Sequence, residues 1–339
     1  MNILITSVGK RNYLVKYFQE ALGGRGLVHA GNSHPLIPAM DIADACVVTP
    51  LVYEESYIPF LLNYCKKHEI GAILSVFDLD LPILAVHQEH FKEIGVRLVL
   101  ASQEIISICN DKWNSYHFLK DHGFLTPKTY LYLKDFKKAV EAGEINYPVI
   151  LKPRWGCGSR GIFEAENYEE VCLLRTVIER INRKSSLKFE SQQDFANSVV
   201  IQEIFKGVEY NLNVINDLEA NYCSTAVITK DTINQGSTES AHVVFDKQIE
   251  GFGEQIGRAL WHIGNLDMDI LRAGDQICVL DLNARFGGGY PFSNLAGLDL
   301  PKAIVAWLMD LPIQDEWLRV DQEIMASIAL QPIIIKGTC

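Results

Sequence analysis

The sequence predicts an α/β protein, with a doubly wound parallel sheet at the amino-terminal end and an α+β remainder built on antiparallel sheets. Three observations predict it. Over the first hundred residues, short apolar runs alternate with segments of helical period. Strands separated by helices of about 10–15 residues imply parallel crossovers. From residue 199 strand-like runs follow one another without an intervening helix, and Ala273-Gly274-Asp275 joins two later runs as a hairpin. Of the 339 residues, 48% are apolar and 22% charged, which is the balance of a folded globular chain and excludes a disordered one.

The elements follow in order. Residues 2–7 are a short apolar run with turn signals after it, a first strand. Residues 13–22 have helical period, and Gly23-Gly24-Arg25-Gly26 ends them. Residues 28–32 and 45–49 are strand-like, and 57–68 form an amphipathic helix closed by Gly71. A strand at 72–77, a helix at 81–91 and a strand at 96–100 complete the alternation. Two helices, 102–110 and 111–122, lead to a boundary at Gly123 and Pro127. The strand 147–152 enters a glycine-rich loop, 155–161, and residues 161–165 pair back as a second strand. A long helix over 167–183 precedes a polar, aperiodic stretch, 184–197, expected to be an exposed loop. Residues 199–203, 209–215 and 222–229 read as antiparallel strands, 245–263 as a helix, 266–272 with 276–283 as the hairpin, and 299–309 as a helix. The second half is not a copy of the first.

Charge and cysteine usage narrow the function. There are 31 Lys+Arg against 42 Asp+Glu, a formal charge of −11, which repels a polyanion and argues against nucleic acid as a partner. An anionic nucleotide would be accepted only where cations cluster locally. No apolar run reaches the roughly 18 residues that a membrane span needs. The first residues read as a strand rather than a signal-peptide core. Eight cysteines stand singly with no CxxC, a pattern of a reducing, cytoplasmic setting. Cys157 reads as a small filler in its loop. His87 and His90 could share a helix face, but no third metal ligand accompanies them.

Several constellations carry chemistry. Lys152 ends a strand, and the loop after it contains Gly156, Gly158, Ser159, Arg160 and Gly161. Glycines let backbone N–H groups approach a phosphate, and the Lys and Arg supply charge. The loop lacks the GK[ST] of a P-loop, so it reads as a flap over phosphates or as a plain hairpin turn. In the strand that runs to Arg285, alternate residues share a face, so Asp281, Asn283 and Arg285 point one way. Carboxylate and amide oxygens suit Mg²⁺, and a guanidinium suits a transferring phosphoryl group. Asp267 and Asp269 share a face that could oppose Asp281; three facing carboxylates repel unless a cation sits among them. Gln202-Glu203-Ile204 with Glu209 can offer backbone groups to an adenine edge and a carboxylate to ribose. Ligands of doubly wound sheets gather beyond the carboxyl ends of the strands, which places Ser7 to Asn12 and Asp78 to Asp80 at a binding edge. Asp78 and Asp80 either cap the next helix or meet substrate, and Arg11 either holds an anionic group or is a surface residue. Ser7-Val8-Gly9 has one glycine, so no dinucleotide fingerprint is present.

The order of these pieces resembles the ATP-grasp superfamily, most closely its carbamoyl-phosphate-synthetase-large-chain-like members. The resemblance rests on Asp111-Lys112, the strand Val149-Ile150-Leu151-Lys152-Pro153 with its loop, Gln202-Glu203, Gly207-Val208-Glu209 and Leu280-Asp281-Leu282-Asn283-Ala284-Arg285. It implies a pre-ATP-grasp domain over 1–109 and an ATP-grasp domain over 110–339, with a lid subdomain at about 125–203. Position by position it implies that Lys112 and Lys152 bind nucleotide phosphates and that loop residues 156–161 close over them. It places Gln202, Glu203 and Ile204 at the adenine, Glu209 at the ribose and Lys230 at the triphosphate. Mg²⁺, with Mn²⁺ as an alternative, would be held by Asp281, Asn283 and Asp269 or Asp267, and Arg285 would steady the γ-phosphate. Asp281 stands where the family has Glu, and Ala284 where it has Pro. One ATP-grasp unit fits the length.

The resemblance implies an ATP- and Mg²⁺-dependent ligase that activates a carboxylate as an acyl phosphate and joins it to an amine, with Lys152 and Arg285 as catalytic residues. The alternatives are a small-molecule carboxylate kinase and a non-catalytic nucleotide-binding module. The expected partners are small-molecule carboxylate and amine substrates near Arg11, Asp78 and Gly288, with a homodimer as the default assembly.

Overall fold

The computed structural model describes residues 1–156, 161–234 and 237–329, with residues 233, 234 and 237 described by backbone alone. The predicted parallel sheet is present. Strands β1 (Asn2–Thr6), β2 (Val28–Asn32), β3 (Ala45–Val48), β4 (Ile70–Ser75) and β5 (Arg97–Leu98) form one sheet in the order β3-β2-β1-β4-β5, every pair parallel. The strand order reverses at β1, so the crevice beyond β1 and β4 is the switch point where such sheets bind ligands.

That crevice is built around Asp80. Its carboxylate accepts hydrogen bonds from Thr6 at 2.7 Å, Ser7 at 3.1 Å, Ser75 at 2.7 Å and Tyr57 at 2.8 Å. Burial pushes the Asp80 carboxyl up, against the pull of these hydroxyls. It therefore neither caps the next helix with its side chain nor faces substrate: it ties the ends of β1 and β4 together.

A second sheet holds β6 (Thr129–Tyr130), β7 (Val149–Pro153), β8 (Phe163–Ala165) and β9 (Val199–Glu203) in the order β6-β9-β7-β8, all antiparallel. It packs against helices Leu133–Glu141 and Tyr168–Lys184 through its own core of Phe136, Val149, Val171, Ile178 and Ile201. The long helix starts at Asn167, whose side chain accepts from the Glu170 N–H while Glu170 reaches back to the Glu166 N–H, a reciprocal cap.

The third sheet contains β10 (Val208–Asn216), β11 (Tyr222–Asn234), β12 (Ser237–Val244), β13 (Gly264–Ala273), β14 (Gln276–Asn283) and β15 (Ile324–Ser327) in the order β14-β13-β10-β11-β12-β15. One apolar core runs from the first sheet into this one, joining Leu4, Ile73 and Phe91 to Leu212, Met268 and Leu282. The first and third sheets are thus one packed unit, and the second carries a core of its own.

Several expectations need correction. Gly71 does not close a helix: it lies in β4, where a Cβ would sit 2.6 Å from the Met1 side chain. The single helix expected over 81–91 is two, Leu81–Val86 and Gln88–Glu93, broken at His87. β9 is antiparallel as expected, but its partners are β6 and β7 of the second sheet. Residues 184–197 are not an open loop: they contain helices Lys188–Ser191 and Gln192–Asn197, with Glu190 and Ser191 buried. Their polarity hid them from a periodicity reading because the groups they bury are polar. Cys65, Cys109, Cys172, Cys223 and Cys278 are free thiols, while Cys46 is disulfide-bonded, an exception to the expectation of isolated thiols. Among the described residues no helix is long and apolar enough to cross a membrane.

Candidate active site

The β13–β14 hairpin sets the site. Its register pairs Asp269 with Asp281 and Asp267 with Asn283, so the alternation read from the sequence brings these side chains to one face. The neighbouring strand β10 adds Asn211, opposite Asp269, whose Nδ2 donates to Asp267 at 2.8 Å and to Asp269 at 2.9 Å.

Cations interleave with these acids. Arg285, 7% exposed in its side chain, donates to Asp78 at 2.9 and 3.1 Å and to Asp267 at 2.9 Å. Burial pushes the Asp267 carboxyl up although Arg285 opposes it. Asp78 therefore does not cap a helix; it anchors the first sheet to the third through one guanidinium. Lys230 donates to Glu209 at 2.6 Å and to Asp269 at 2.7 Å. Desolvation would lower its pKa, but Asp269 and Glu209 together hold the ammonium above its ordinary value.

Lys112 and Lys152 differ from these. The Asp111 carboxylate caps the helix Lys112–Asp121 and grips Arg154 at 2.8 and 2.9 Å, while the Lys112 N–H donates to the Arg154 carbonyl. This clamp fixes Lys112 against the end of β7. Its Nζ donates to the Gly156 carbonyl at 2.7 Å and lies 3.8 Å from Asp281. Lys152 is 8% exposed and forms no ion pair among the described residues. Burial lowers its pKa to about 8, with Asp281 pulling it up and Lys112 pushing it down further. Two ammonium groups, one of them buried with no ion pair among the described residues, thus stand side by side near Asp281, an arrangement whose charge suits an anion.

A divalent cation can be tested against the donor set. Asn283 donates its Nδ2 to the Asp267 carbonyl, which leaves its Oδ1 as the coordinating atom. Asp281 is partly exposed and meets Lys112 only at 3.8 Å. These two oxygen donors fit Mg²⁺. Asp269 and Asp267 are committed to Lys230, Asn211 and Arg285, and no group of three or more His, Cys, Asp or Glu among the described residues is arranged to hold a metal.

The remaining expected residues divide. Gln202 turns its amide to Thr129 at 2.9 Å and is buried, so its side chain braces the second sheet. Glu203 accepts from the Lys128 N–H at 3.2 Å, and Ile204 follows it at the end of β9. Arg11 lies beside Tyr13, whose hydroxyl approaches the Gly287 carbonyl at 3.4 Å. Gly156 and Gly161 adopt φ of +112° and +74°, which favours glycine. Gly158, Ser159 and Arg160 lie outside the described residues.

The glycines after Arg285 are a close fit to this network. A Cβ on Gly287 would lie 2.0 Å from the Asp267 carboxylate, and one on Gly289 2.1 Å from Asn211 Oδ1, whereas Gly288 faces open space. Gly287→Ala is expected to cost about 1–3 kcal/mol in urea unfolding, and Gly288→Ala under about 0.5 kcal/mol. Equal effects of the two would refute this packing. The sequence reading missed Asn211, Arg154 and Glu190. Only Asn211 left a signal, as a polar residue in an apolar strand.

A parallel-sheet domain packs on an antiparallel sheet of acids and cations, and a smaller sheet presents a buried lysine. The chain belongs to the ATP-grasp family: the ATP-grasp domain matches residues 109–289, and the PylC-like N-terminal domain matches residues 3–99. Among curated proteins it is 21% identical over 311 residues to the carbamoyl phosphate synthase large chain of Clostridium acetobutylicum, covering 88% of this chain and 27% of that protein. To the arginine-specific large chain of Bacillus subtilis it is 19% identical over 274 residues, 78% of this chain and 25% of that one. The chain thus spans about a quarter of these relatives. Among solved structures, the biotin carboxylase domain dimer of Hydrogenobacter thermophilus 2-oxoglutarate carboxylase, in complex with MgADP, ADP and bicarbonate, has a TM-score of 0.74 at 17% identity, covering 95% of this chain and 73% of that one. The L-amino acid ligase of Bacillus licheniformis has a TM-score of 0.67 at 15% identity, covering 95% and 78%.

Proposed function

We propose that this protein is an ATP- and Mg²⁺-dependent carboxylate–amine ligase that works through an acyl phosphate. The observation that carries the proposal is Lys152: a buried ammonium with no ion pair among the described residues, beside Lys112 and Asp281. A triphosphate is the family's anion and supplies the missing charge.

Lys112 and Lys152 bind the phosphates and offset their charge. Asp281 and Asn283 hold Mg²⁺, which supplies charge neutralisation on the phosphate oxygens when bound. The carboxylate oxygen of the substrate attacks the γ-phosphorus, and ADP leaves with the bonding pair. The amine nitrogen then attacks the acyl carbon, phosphate departs, and the nitrogen loses a proton. Arg285 orients the junction between the substrate edge and the phosphates, where Arg11, Asp78 and Gly288 lie. Glu203 and Ile204 serve the adenine and Glu209 the ribose, an exchange that releases Glu209 from Lys230. The second sheet, about 125–203, acts as a lid that excludes water from the acyl phosphate. The divide between the two domains falls at 109/110.

The test is ADP release across a panel of carboxylates with and without amines, with mass spectrometry of products. An amide product that requires both substrates is expected, and Asp281→Ala should abolish it. A stable phosphorylated carboxylate formed without any amine would replace the ligase reading with a kinase. ATP binding without ADP release across the panel would leave a binding module.

A further inference from the structure

A cleft of about 510 Å³ lies between the first sheet's crevice and the helices of residues 188–197. Its polar lining includes Tyr53, Asn110, Asp194 and Glu190, and its apolar lining includes Ile83 and Ile106. Glu190 is 6% exposed, and its Oε2 has no hydrogen-bond partner among the described residues. The Tyr53 hydroxyl, buried in the same cleft, has none either. The Tyr53 ring is stacked on Phe189 at 4.1 Å, so both groups are held in place by one contact. An orphaned buried carboxyl costs free energy that a ligand would recover.

The surrounding charge selects the ligand. Asp78, Asp111 and Lys112 are the charged groups that act on Glu190, and Asp111 and Asp194 share a single Arg154. Asp78 is paired with Arg285, and Asp111 and Asp194 with Arg154, so the acid left without an ion pair among the described residues is Glu190, which favours an ammonium over an anion. The cleft also adjoins the chemistry. Asn110 donates to the Asp78 carbonyl at 2.5 Å, and Asp78 is the partner of Arg285. Asp111 is followed by Lys112, which stands 3.8 Å from Asp281.

We propose that this cleft is the subsite for the amine substrate, an amine with an apolar body whose ammonium is held by Glu190 and the Tyr53 hydroxyl. The inference rests on the ligase reading for its role but not for its binding. Burial, then Asp78, pushes the Glu190 carboxyl up to about 8, so it is protonated at neutral pH without a ligand. An ammonium lowers that value, and binding at pH 7 releases a proton.

The experiment is calorimetric titration of the full chain with n-hexylamine and with n-hexanol, in buffers of different ionisation enthalpy, with ATP binding measured separately. The amine should bind about tenfold or more tightly than the alcohol and release a proton. Glu190→Gln, which keeps shape and removes charge, should erase both the preference and the release, and Tyr53→Phe should weaken the preference. Equal affinities, no measurable binding of hexylamine, no proton release, or a preference that survives E190Q would each overturn the subsite. Failure of ATP to bind would strike the ligase reading alone and leave the amine result to be judged on its own.

Discussion

Replacing Lys152 by methionine is expected to abolish the proposed ADP release and, at the same time, to stabilise the protein. Both effects have one cause. The ammonium is buried with no ion pair among the described residues, and burial brings its pKa from the ordinary 10.5 to about 8. A depression of that size corresponds to about 3 kcal/mol of cost at neutral pH, which an apolar side chain of similar length removes. The same replacement deletes a positive charge that, in the proposed function, binds the nucleotide phosphates. Gain of stability with loss of function is the signature of a strained site. Thermal unfolding and an ADP-release assay on K152M decide it: a destabilised variant, or one that keeps its turnover, contradicts the assignment. The pH dependence follows with its sign. Between about 8 and 10.5 the unfolded chain binds more protons at this position than the folded one, so stability rises with pH through that window. Nucleotide affinity moves the other way, falling up to about tenfold per pH unit above 8 as the ammonium is lost.

Arg285→Met has the opposite balance, with loss of both stability and turnover. One guanidinium serves Asp78 and Asp267, and all three side chains are at most 10% exposed. Removing it strands two carboxylates in the interior, a cost of about 3–5 kcal/mol for a broken buried pair. Stability at pH 7 should drop by at least that amount in urea unfolding. The stranded carboxyls have raised pKa values in the variant, so the deficit shrinks as pH falls and they take up protons. The triple variant Arg285→Met, Asp78→Asn, Asp267→Asn should recover most of the stability but none of the turnover. A single variant as stable as the wild type would show that the guanidinium does not join the two domains.

Much of this was legible in the chain itself. Period-2 alternation in β14 placed Asp281 with Asn283, and the matching alternation in β13 put Asp267 and Asp269 on one face; the register that sets Asp269 opposite Asp281 is visible only in the structure. The period-3.6 segment ended by Gly23 located the helix Asn12–Leu22, and helical period also marked Tyr57–Lys67. These signals are local, and local geometry carries them. The stretch 184–197 is polar and aperiodic, which is the pattern of an exposed loop. Its Phe189 stacks on Tyr53 and its buried Glu190 shares a cleft with Tyr53 and Asn110, residues distant in sequence.

The parallel sheet, the hairpin of acids and the ordered set of residues that marks the family are written along the chain, because each depends on near neighbours. Which acids have cations is settled only by the folded arrangement. Lys230 takes Asp269 and Glu209, Arg285 takes Asp267 and Asp78, and Lys152 takes none among the described residues. The physical reason is that an ion pair is a contact in space. The partners of Arg285 lie 18 and 207 positions away along the chain, and no spacing rule encodes such distances.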